Sequence, residues 1–134
     1  MSIYVDSSAL LKRYVLEPDS QRSIELLQSD PLLITARHTI VEVRRNLVRL
    51  LGERDLANGQ ARFAADIQSF ALVEVDAELC ESGAQIAEVT GVRTLDALHL
   101  AAIRRAGGGD VPLLTFDLRQ AQVARSLGFT VIGA

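Results

Sequence analysis

Hydrophobic residues occur along this chain either in short unbroken runs or in longer segments where they recur every three or four positions. Short runs bounded by turn residues are typical of buried strands, and the longer spacing is typical of helices that bury one face. The short runs predict strands at residues 2–5, 32–34, 72–75, 111–116 and 129–132. The periodic segments predict helices at 8–16, from Pro18 onward, 40–51, 53 to about 69, about 77 to 89, 94–106 and 118–127.

The alternation of strands and helices predicts an α/β fold. We expect three layers, with a central and mostly parallel sheet flanked by helices. A length of 134 residues fits one domain, and neither an internal repeat nor a linker divides it. We therefore interpret residues 1–134 as a single domain, and a hydrophobic fraction of 49% is ample for its core.

Composition and charge limit both the cellular location and the modes of nucleic-acid binding that the sequence allows. The net charge is −3, whereas a protein that binds nucleic acid through bulk charge is expected to be basic. Any such contact must therefore come from a local arginine patch or through a metal ion. No apolar run approaches the ~18 residues of a membrane span. The start of the chain does not resemble a signal peptide, and the lone Cys80 allows no intrachain disulfide. These features predict a cytoplasmic protein without a membrane partner.

Two predicted strands end on an aspartate. Asp6 follows the first strand and Asp117 follows the fourth, and a predicted helix begins after each. Parallel neighbouring strands present their carboxyl ends at the same edge of a sheet, where ligands usually bind. Two carboxylates that meet there repel each other unless a cation or a proton lies between them. The pair predicts a metal site, although each aspartate is equally typical of a helix N-cap.

Asp96 strengthens the metal interpretation. It lies in a segment, 94–103, that is apolar nearly all round and therefore predicts a buried helix. On a helical wheel Asp96 aligns with Leu100 and Ile103, where an unpartnered charge is costly to bury. The alternative is a first-turn acid favoured by the helix dipole, with Thr94 as the cap. A metal ion or a shared proton explains the position better.

Glu42 has a structural explanation from its pattern alone. Thr39 and Glu42 have the spacing of a capping box, and Arg45 is available for an i,i+3 ion pair. The pattern therefore favours a structural role for Glu42. His38 and His99 are far apart in the sequence and lack cysteine companions, which argues against a zinc motif.

Four stretches together resemble the PIN-domain ribonucleases, and most closely the VapC toxins of type II toxin–antitoxin modules. The stretches are 4–10 (YVDSSAL), 41–45 (VEVRR), 93–101 (RTLDALHLA) and 114–117 (LTFD). The resemblance covers essentially the whole chain and its order of elements. It implies a metal-dependent endoribonuclease that hydrolyses RNA phosphodiester bonds.

The resemblance also assigns roles to residues. It implies that Asp6, Glu42, Asp96 and Asp117 form a catalytic site that binds Mg²⁺ or Mn²⁺, and this reverses the interpretation of Glu42. The three aspartates would hold the metal, since hard oxygen ligands suit these ions. Glu42 would hold a second metal ion or orient the attacking water.

Further expectations follow from the same resemblance. Ser7 and Thr115 resemble the small polar residues that support the family's site, and Arg93 is a candidate phosphate contact. The expected partners are an RNA substrate, a cognate VapB-like antitoxin and a second copy of the chain.

Other functions fit the sequence less well. A haloacid-dehalogenase-like phosphatase would need a second aspartate where Ser8 stands, and a receiver domain would need a late lysine, whereas the only lysine is Lys12. The non-enzyme alternative is a dimerising interaction domain whose acids are helix caps.

Overall fold

The sheet of the protein is parallel throughout its described length. A computed structural model describes residues 2–28 and 32–134. Its strands lie in the order β3-β2-β1-β4-β5, and all four neighbouring pairs are parallel. They are β1 (Ser2–Val5), β2 (Leu32–Ala36), β3 (Ala71–Val73), β4 (Leu113–Thr115) and β5 (Val131–Gly133). The predicted α/β fold with a central sheet is confirmed.

Helices connect the strands. They are α1 (Ser7–Leu11), α2 (Ser20–Gln28), α3 (Thr39–Leu50), α4 (Glu53–Ile67), α5 (Ala77–Thr90), α6 (Thr94–Ala106) and α7 (Leu118–Ser126), with a short 3₁₀ turn at Gly108–Asp110. The bounds of α6 agree with the prediction, and those of most other helices differ by one or two residues. Within the described ranges, no helix has the length and apolar character needed to cross a membrane.

The first helix is shorter than predicted. The pattern predicts a helix over 8–16, but α1 ends at Leu11. Beyond it, the N–H groups of Arg13 and Tyr14 donate to the carbonyls three residues earlier, and the backbone forms hydrogen-bonded turns. Both of these side chains bond to Asp66 of α4, with Arg13 Nε at 2.8 Å and the Tyr14 hydroxyl at 2.7 Å. Tertiary contacts therefore override the local helical preference.

Two cores, one on each face of the sheet, give the molecule its three layers. Successive residues of a strand point to opposite faces, so Tyr4 faces one core while Ile3 and Val5 face the other. The core on the Tyr4 side is built largely by α5, α6 and α7 through Leu79, Ile86, Leu100, Ile103 and Ala124. The opposite core is built by α1 to α4 through Leu10, Leu27, Val43, Leu47 and Phe63.

The strand order places a switch in connectivity beside the central strand. From β1 the chain proceeds outward through β2 and β3, and then crosses to β4 and β5 on the other side. In open α/β sheets, ligands bind at the carboxyl ends of the strands on either side of such a point. Here these strands are β1 and β4, with Val5 opposite Leu114. Asp6 follows β1 directly, and Asp117 follows β4 after one intervening residue.

Candidate metal and catalytic site

Asp6 is both a helix cap and a buried acid of the site. It is the N-cap of α1, where its Oδ1 accepts from the Ala9 backbone N–H at 3.1 Å and from the Ser8 hydroxyl at 2.7 Å. Only 3% of Asp6 is exposed. Burial raises the pKa of Asp6, and the opposing effects of His99 and of its hydrogen-bond donors do not cancel this. The ionised carboxylate is therefore costly unless a cation approaches.

Asp117 plays the same double role at the end of β4. It is the N-cap of α7, and its Oδ1 accepts from the Gln120 backbone N–H at 3.1 Å. Its own N–H donates to the Thr115 hydroxyl at 3.1 Å, which fixes the turn out of the strand. Its second oxygen, Oδ2, faces the Arg93 guanidinium at 3.2 Å. Capping uses one oxygen and leaves the other for the site.

Asp96 caps nothing, unlike the other two aspartates. The N-cap of α6 is Arg93, so Thr94 is the first residue of the helix and not its cap. The helix is buried along most of its length, as predicted, and the Asp96 side chain is only 16% exposed. Burial, followed by the nearby charge of Asp117, raises the pKa of Asp96 despite Arg93. The carboxylates of Asp96 and Asp117 therefore repel each other at the carboxyl end of the sheet.

Arg93 bridges two of the acids. Its Nε lies 3.3 Å from Asp96 Oδ2 and its Nη2 lies 3.2 Å from Asp117 Oδ2. The Arg93 side chain is 71% exposed, so solvent weakens both pairs and the guanidinium is free to move away. Arg93 therefore supplies positive charge at the place where the sequence predicts a metal ion. Its predicted contact with phosphate stays a prediction.

Glu42 does not form the predicted capping box. The helix begins at Thr39 with His38 as its N-cap, and the Thr39 hydroxyl bonds to Thr35 at 2.7 Å. The Glu42 carboxylate faces histidines: Oε1 lies 2.8 Å from His99 Nε2 and 3.5 Å from His38 Nε2. The capping interpretation is wrong because the Thr39 hydroxyl bonds to Thr35 of β2 and not to the backbone of its own helix.

The electrostatics of Glu42 keep it ionised. Burial acts to raise the pKa of Glu42, but the hydrogen bond and charge of His99, with help from His38 and Ser7, outweigh it. The resulting pKa lies below the ordinary glutamate value. Glu42 is therefore a charged hydrogen-bond acceptor at neutral pH, in contrast to the raised pKa values of Asp6 and Asp96.

The two histidines that appeared too distant for a common site are neighbours. The ring centroids of His38 and His99 lie 4.3 Å apart. The rings are close because α6 packs against the sheet next to the start of α3. The same packing brings His99 to Glu42, which is 57 positions away in the sequence. Separation along the chain argued against a zinc motif, but it did not predict that the two rings are neighbours in the fold.

Ser8 was missed as a supporter of the site. Its hydroxyl donates to Asp6, lies 3.3 Å from the Thr115 hydroxyl and accepts from the Phe116 N–H at 3.2 Å. It therefore joins the ends of β1 and β4. Ser7, which the sequence suggested, bonds to Glu42 instead. The available signal was the position of Ser8 two residues after a capping aspartate, where a hydroxyl reaches the cap.

Two open clefts lie against these residues. One, of about 410 Å³, is lined by Glu42, Arg93, Thr94, Leu95 and Asp96. The other, of about 650 Å³, includes Ser7, Asp117, Lys12, Asn46 and Arg49 in its lining. Solvent thus reaches Glu42 and Asp96 from one side and Asp117 from the other, while Asp6 lies buried.

A three-layer α/β protein with acidic side chains at the switch point of a parallel sheet is the class that this fold and site define. The family model described as "PIN domain" matches residues 3–126 of the chain. Ribonuclease VapC46 of Mycobacterium tuberculosis (strain ATCC 25618 / H37Rv) is 32% identical over 131 residues, which are 98% of this chain and 96% of that protein. The chain belongs to the PIN-domain family, in its VapC branch.

Solved structures share the fold at low sequence identity. FitAcB from Neisseria gonorrhoeae superposes with a TM-score of 0.77 at 18% identity, covering 99% of this chain and 97% of that one. VapC20 of Mycobacterium tuberculosis, described as a sarcin-ricin loop cleaving toxin, gives 0.72 at 21% identity and 96% coverage of both chains. VapBC2 from Rickettsia felis, bound to a promoter DNA fragment, gives 0.69 at 10% identity, covering 98% of this chain and 97% of that one.

Proposed function

We propose that this protein is a divalent-metal-dependent endoribonuclease that acts as the toxin of a VapBC-like type II toxin–antitoxin module. The observation that carries the proposal is the placement of Asp96. Its carboxylate is largely buried on an apolar helix, lies beside Asp117 and caps no helix. The pKa of Asp96 stays raised despite the exposed Arg93, so a purely structural role leaves part of this repulsion unbalanced, whereas a bound metal cation would remove it. The identity to a protein named a ribonuclease supports the same conclusion.

The donor set fits Mg²⁺ or Mn²⁺. Asp6, Asp96 and Asp117 offer only carboxylate oxygens, which these hard ions prefer. Mg²⁺ keeps several of its waters and uses one or two carboxylates directly, so the aspartates need not converge tightly. When bound, the ion would polarise the phosphate and lower the pKa of a coordinated water. Arg93 now neutralises two of these acids and would have to withdraw.

The other residues of the site would position the reactants. Glu42 is ionised and lines the same cleft as Asp96, so it can accept a hydrogen bond from the attacking water. The His99 hydrogen bond at 2.8 Å fixes its carboxylate. Arg93 lines the same cleft, which supports a role in contacting a phosphate of the RNA once the aspartates release it. Ser8 and Thr115 hold Asp6 in place, and Ser7 supports Glu42.

RNA, an antitoxin and a second copy of the chain are the partners we propose. VapC20 is described as cleaving the sarcin-ricin loop, which supports an RNA substrate. A structure with the same fold, at a TM-score of 0.66 and 14% identity, is described as a toxin–antitoxin complex from Klebsiella pneumoniae, which supports a VapB-like partner. We expect the antitoxin to lay a basic or apolar segment across the acidic site and the toxin to form a homodimer.

Cleavage of total cellular RNA tests this proposal. Purified protein, freed of antitoxin, is incubated with the RNA in Mn²⁺, in Mg²⁺ or in EDTA, and the new ends are mapped at nucleotide resolution. We expect discrete cut sites with either metal and none in EDTA. If the chain is an interaction domain whose acids only cap helices, no metal-dependent ends will form.

A further inference from the structure

A second cluster of potential metal ligands lies next to the aspartates. Among the described residues, the three side chains His38, Glu42 and His99 each offer a ligand atom within 4.8 Å of the others. The site joins the N-terminus of α3 to the middle of α6. Its chemistry differs from that of the aspartates because two of its three donors are imidazole nitrogens.

The spacing of the cluster suits a small transition-metal ion. Bonds of about 2.0–2.2 Å in a tetrahedral site place neighbouring ligand atoms about 3.3–3.6 Å apart. Glu42 Oε1 lies 3.5 Å from His38 Nε2, inside that range, and 2.8 Å from His99 Nε2, somewhat below it. Small rotations of the Glu42 and His38 side chains would complete the geometry, and a fourth position would stay open for water or substrate.

The two imidazoles are prepared for this role in different ways. The Tyr4 hydroxyl contacts His99 Nδ1 at 2.8 Å, and this outer contact fixes the ring with Nε2 toward Glu42. His99 is 1% exposed, so the orientation is rigid. The His38 side chain is 11% exposed, and its Nε2 lies 3.5 Å from Glu42 Oε1 and 3.3 Å from the Leu95 carbonyl oxygen. Among the residues that the structure describes, none is a hydrogen-bond partner of the buried His38 Nδ1.

We infer that His38, Glu42 and His99 form a separate site for a transition-metal ion of the Zn²⁺ class. Two imidazoles and one glutamate are a donor set that zinc uses where one coordination position stays open. For His99 Nε2 to bind an ion, this nitrogen must be free of its proton, and the neutral ring then carries a proton on Nδ1, which faces the Tyr4 hydroxyl. The nearby aspartates, which offer only oxygen, favour Mg²⁺ or Mn²⁺ and do not compete equally for a softer ion.

Occupation of this site should inhibit RNA cleavage, a consequence that rests on the proposed function. Glu42 is the residue that both sites share. A Zn²⁺ ion coordinated by its carboxylate removes the hydrogen-bond acceptor that the cleavage site requires. The protein would then cleave RNA in Mg²⁺ and be inhibited by a small amount of Zn²⁺.

Direct metal binding tests the inference without RNA. The full chain is titrated with Zn²⁺ against a chromophoric chelator in excess Mg²⁺, and with Co²⁺ followed by visible absorption. We expect one Zn²⁺ per chain and a Co²⁺ spectrum typical of nitrogen ligation. His38→Gln, with folding verified by circular dichroism, should lower the Zn²⁺ affinity at least about tenfold. Asp96→Asn is the matched control and should bind Zn²⁺ as the wild type does.

Three results would overturn the inference: no Zn²⁺ binding, equal binding by His38→Gln and wild type, or loss of binding in Asp96→Asn. The last would place the ion at the aspartates. The zinc concentration that halves Mg²⁺-dependent cleavage should rise at least about tenfold in His38→Gln. Failure of cleavage in Mg²⁺ alone contradicts the proposed function and leaves the zinc titration intact, so the two failures are distinguishable.

Discussion

At the scale of single residues, the aspartates at the strand ends combine two duties in one side chain. Asp6 caps α1 through Oδ1 and also carries a charge that burial disfavours. Asparagine keeps the capping ability and removes the charge, whereas alanine removes both. The pair Asp6→Asn and Asp6→Ala therefore separates the two duties.

We predict that in EDTA at neutral pH Asp6→Asn is at least as stable as the wild type. Asp6→Ala should be less stable than Asp6→Asn by about 1 kcal/mol, the usual cost of losing a cap. Urea unfolding measures both differences. Equal stability of the two variants would show that the cap contributes nothing.

The pKa of Asp96 predicts a specific pH dependence. Because this pKa is raised in the folded protein, the folded state binds the proton more tightly than the unfolded state. Stability from this group is therefore present at low pH and is lost as the pH rises through the folded pKa. In EDTA, the advantage of Asp96→Asn over the wild type should be greatest at neutral pH and shrink on acidification.

Comparison with the wild type at each pH cancels the titration of the other groups. Mg²⁺ at neutral pH should reverse the order, since it stabilises the wild type and has little to bind in Asp96→Asn. An advantage that grows on acidification would contradict the raised pKa.

Arg93 competes with the metal in this account. Its guanidinium pairs with Asp96 and Asp117, so a cation must displace it. We predict that Arg93→Gln binds Mn²⁺ several-fold more tightly than the wild type, as measured by electron paramagnetic resonance of free Mn²⁺. Arg93→Lys, which keeps the charge, is the control and should resemble the wild type. Weaker binding by Arg93→Gln would mean that Arg93 helps to hold the ion in place.

The acids could be predicted from the sequence, but most of their partners could not. Asp6, Asp96 and Asp117 stand out because local patterns place them at strand ends or on a buried helix. The pairing of Glu42 with His99 depends on how α3 and α6 pack, and no local pattern encodes that contact. The same holds for Ser8, whose hydroxyl reaches Thr115 across 107 residues.

At the scale of elements, α6 is the helix on which the site depends. Its predicted bounds, 94–106, were confirmed because its end is marked locally. Gly107 follows the helix with a φ of +154°, a conformation that side chains rarely adopt. By contrast, the prediction of a helix over 8–16 is wrong in its second half, where Arg13 and Tyr14 bond to Asp66 of α4. Local signals define an element well where no distant side chain competes.

Burial of α6 should dominate its contribution to stability. Leu100 is fully buried, whereas Leu95 of the same helix is 45% exposed. We predict that Leu100→Ala lowers the free energy of unfolding by about 2–5 kcal/mol, since it leaves a cavity in the core. Leu95→Ala is the matched control and should cost about 1 kcal/mol or less. Similar losses in urea unfolding would mean that α6 is not held through this face.

At the scale of the whole molecule, the order of strands brings the parts of the site together. The chain leaves the central strand β1 in one direction and returns on its other side at β4. Asp6 and Asp117, 111 positions apart in sequence, thus share one edge, and α6 carries Asp96 to the same place. The sequence predicted parallel strands and a common edge, but the order of the strands depends on helix packing across both faces.

The central claim is that Asp6, Asp96 and Asp117 hold a metal ion for RNA hydrolysis. The most direct measurement is the single-turnover cleavage rate of an end-labelled RNA that contains a mapped cut site, followed over a Mg²⁺ titration for wild type and Asp96→Asn. We predict that the wild-type rate rises with Mg²⁺ and saturates. At that concentration the folded variant should be at least about 100-fold slower. Cleavage by Asp96→Asn at the wild-type rate would contradict the account.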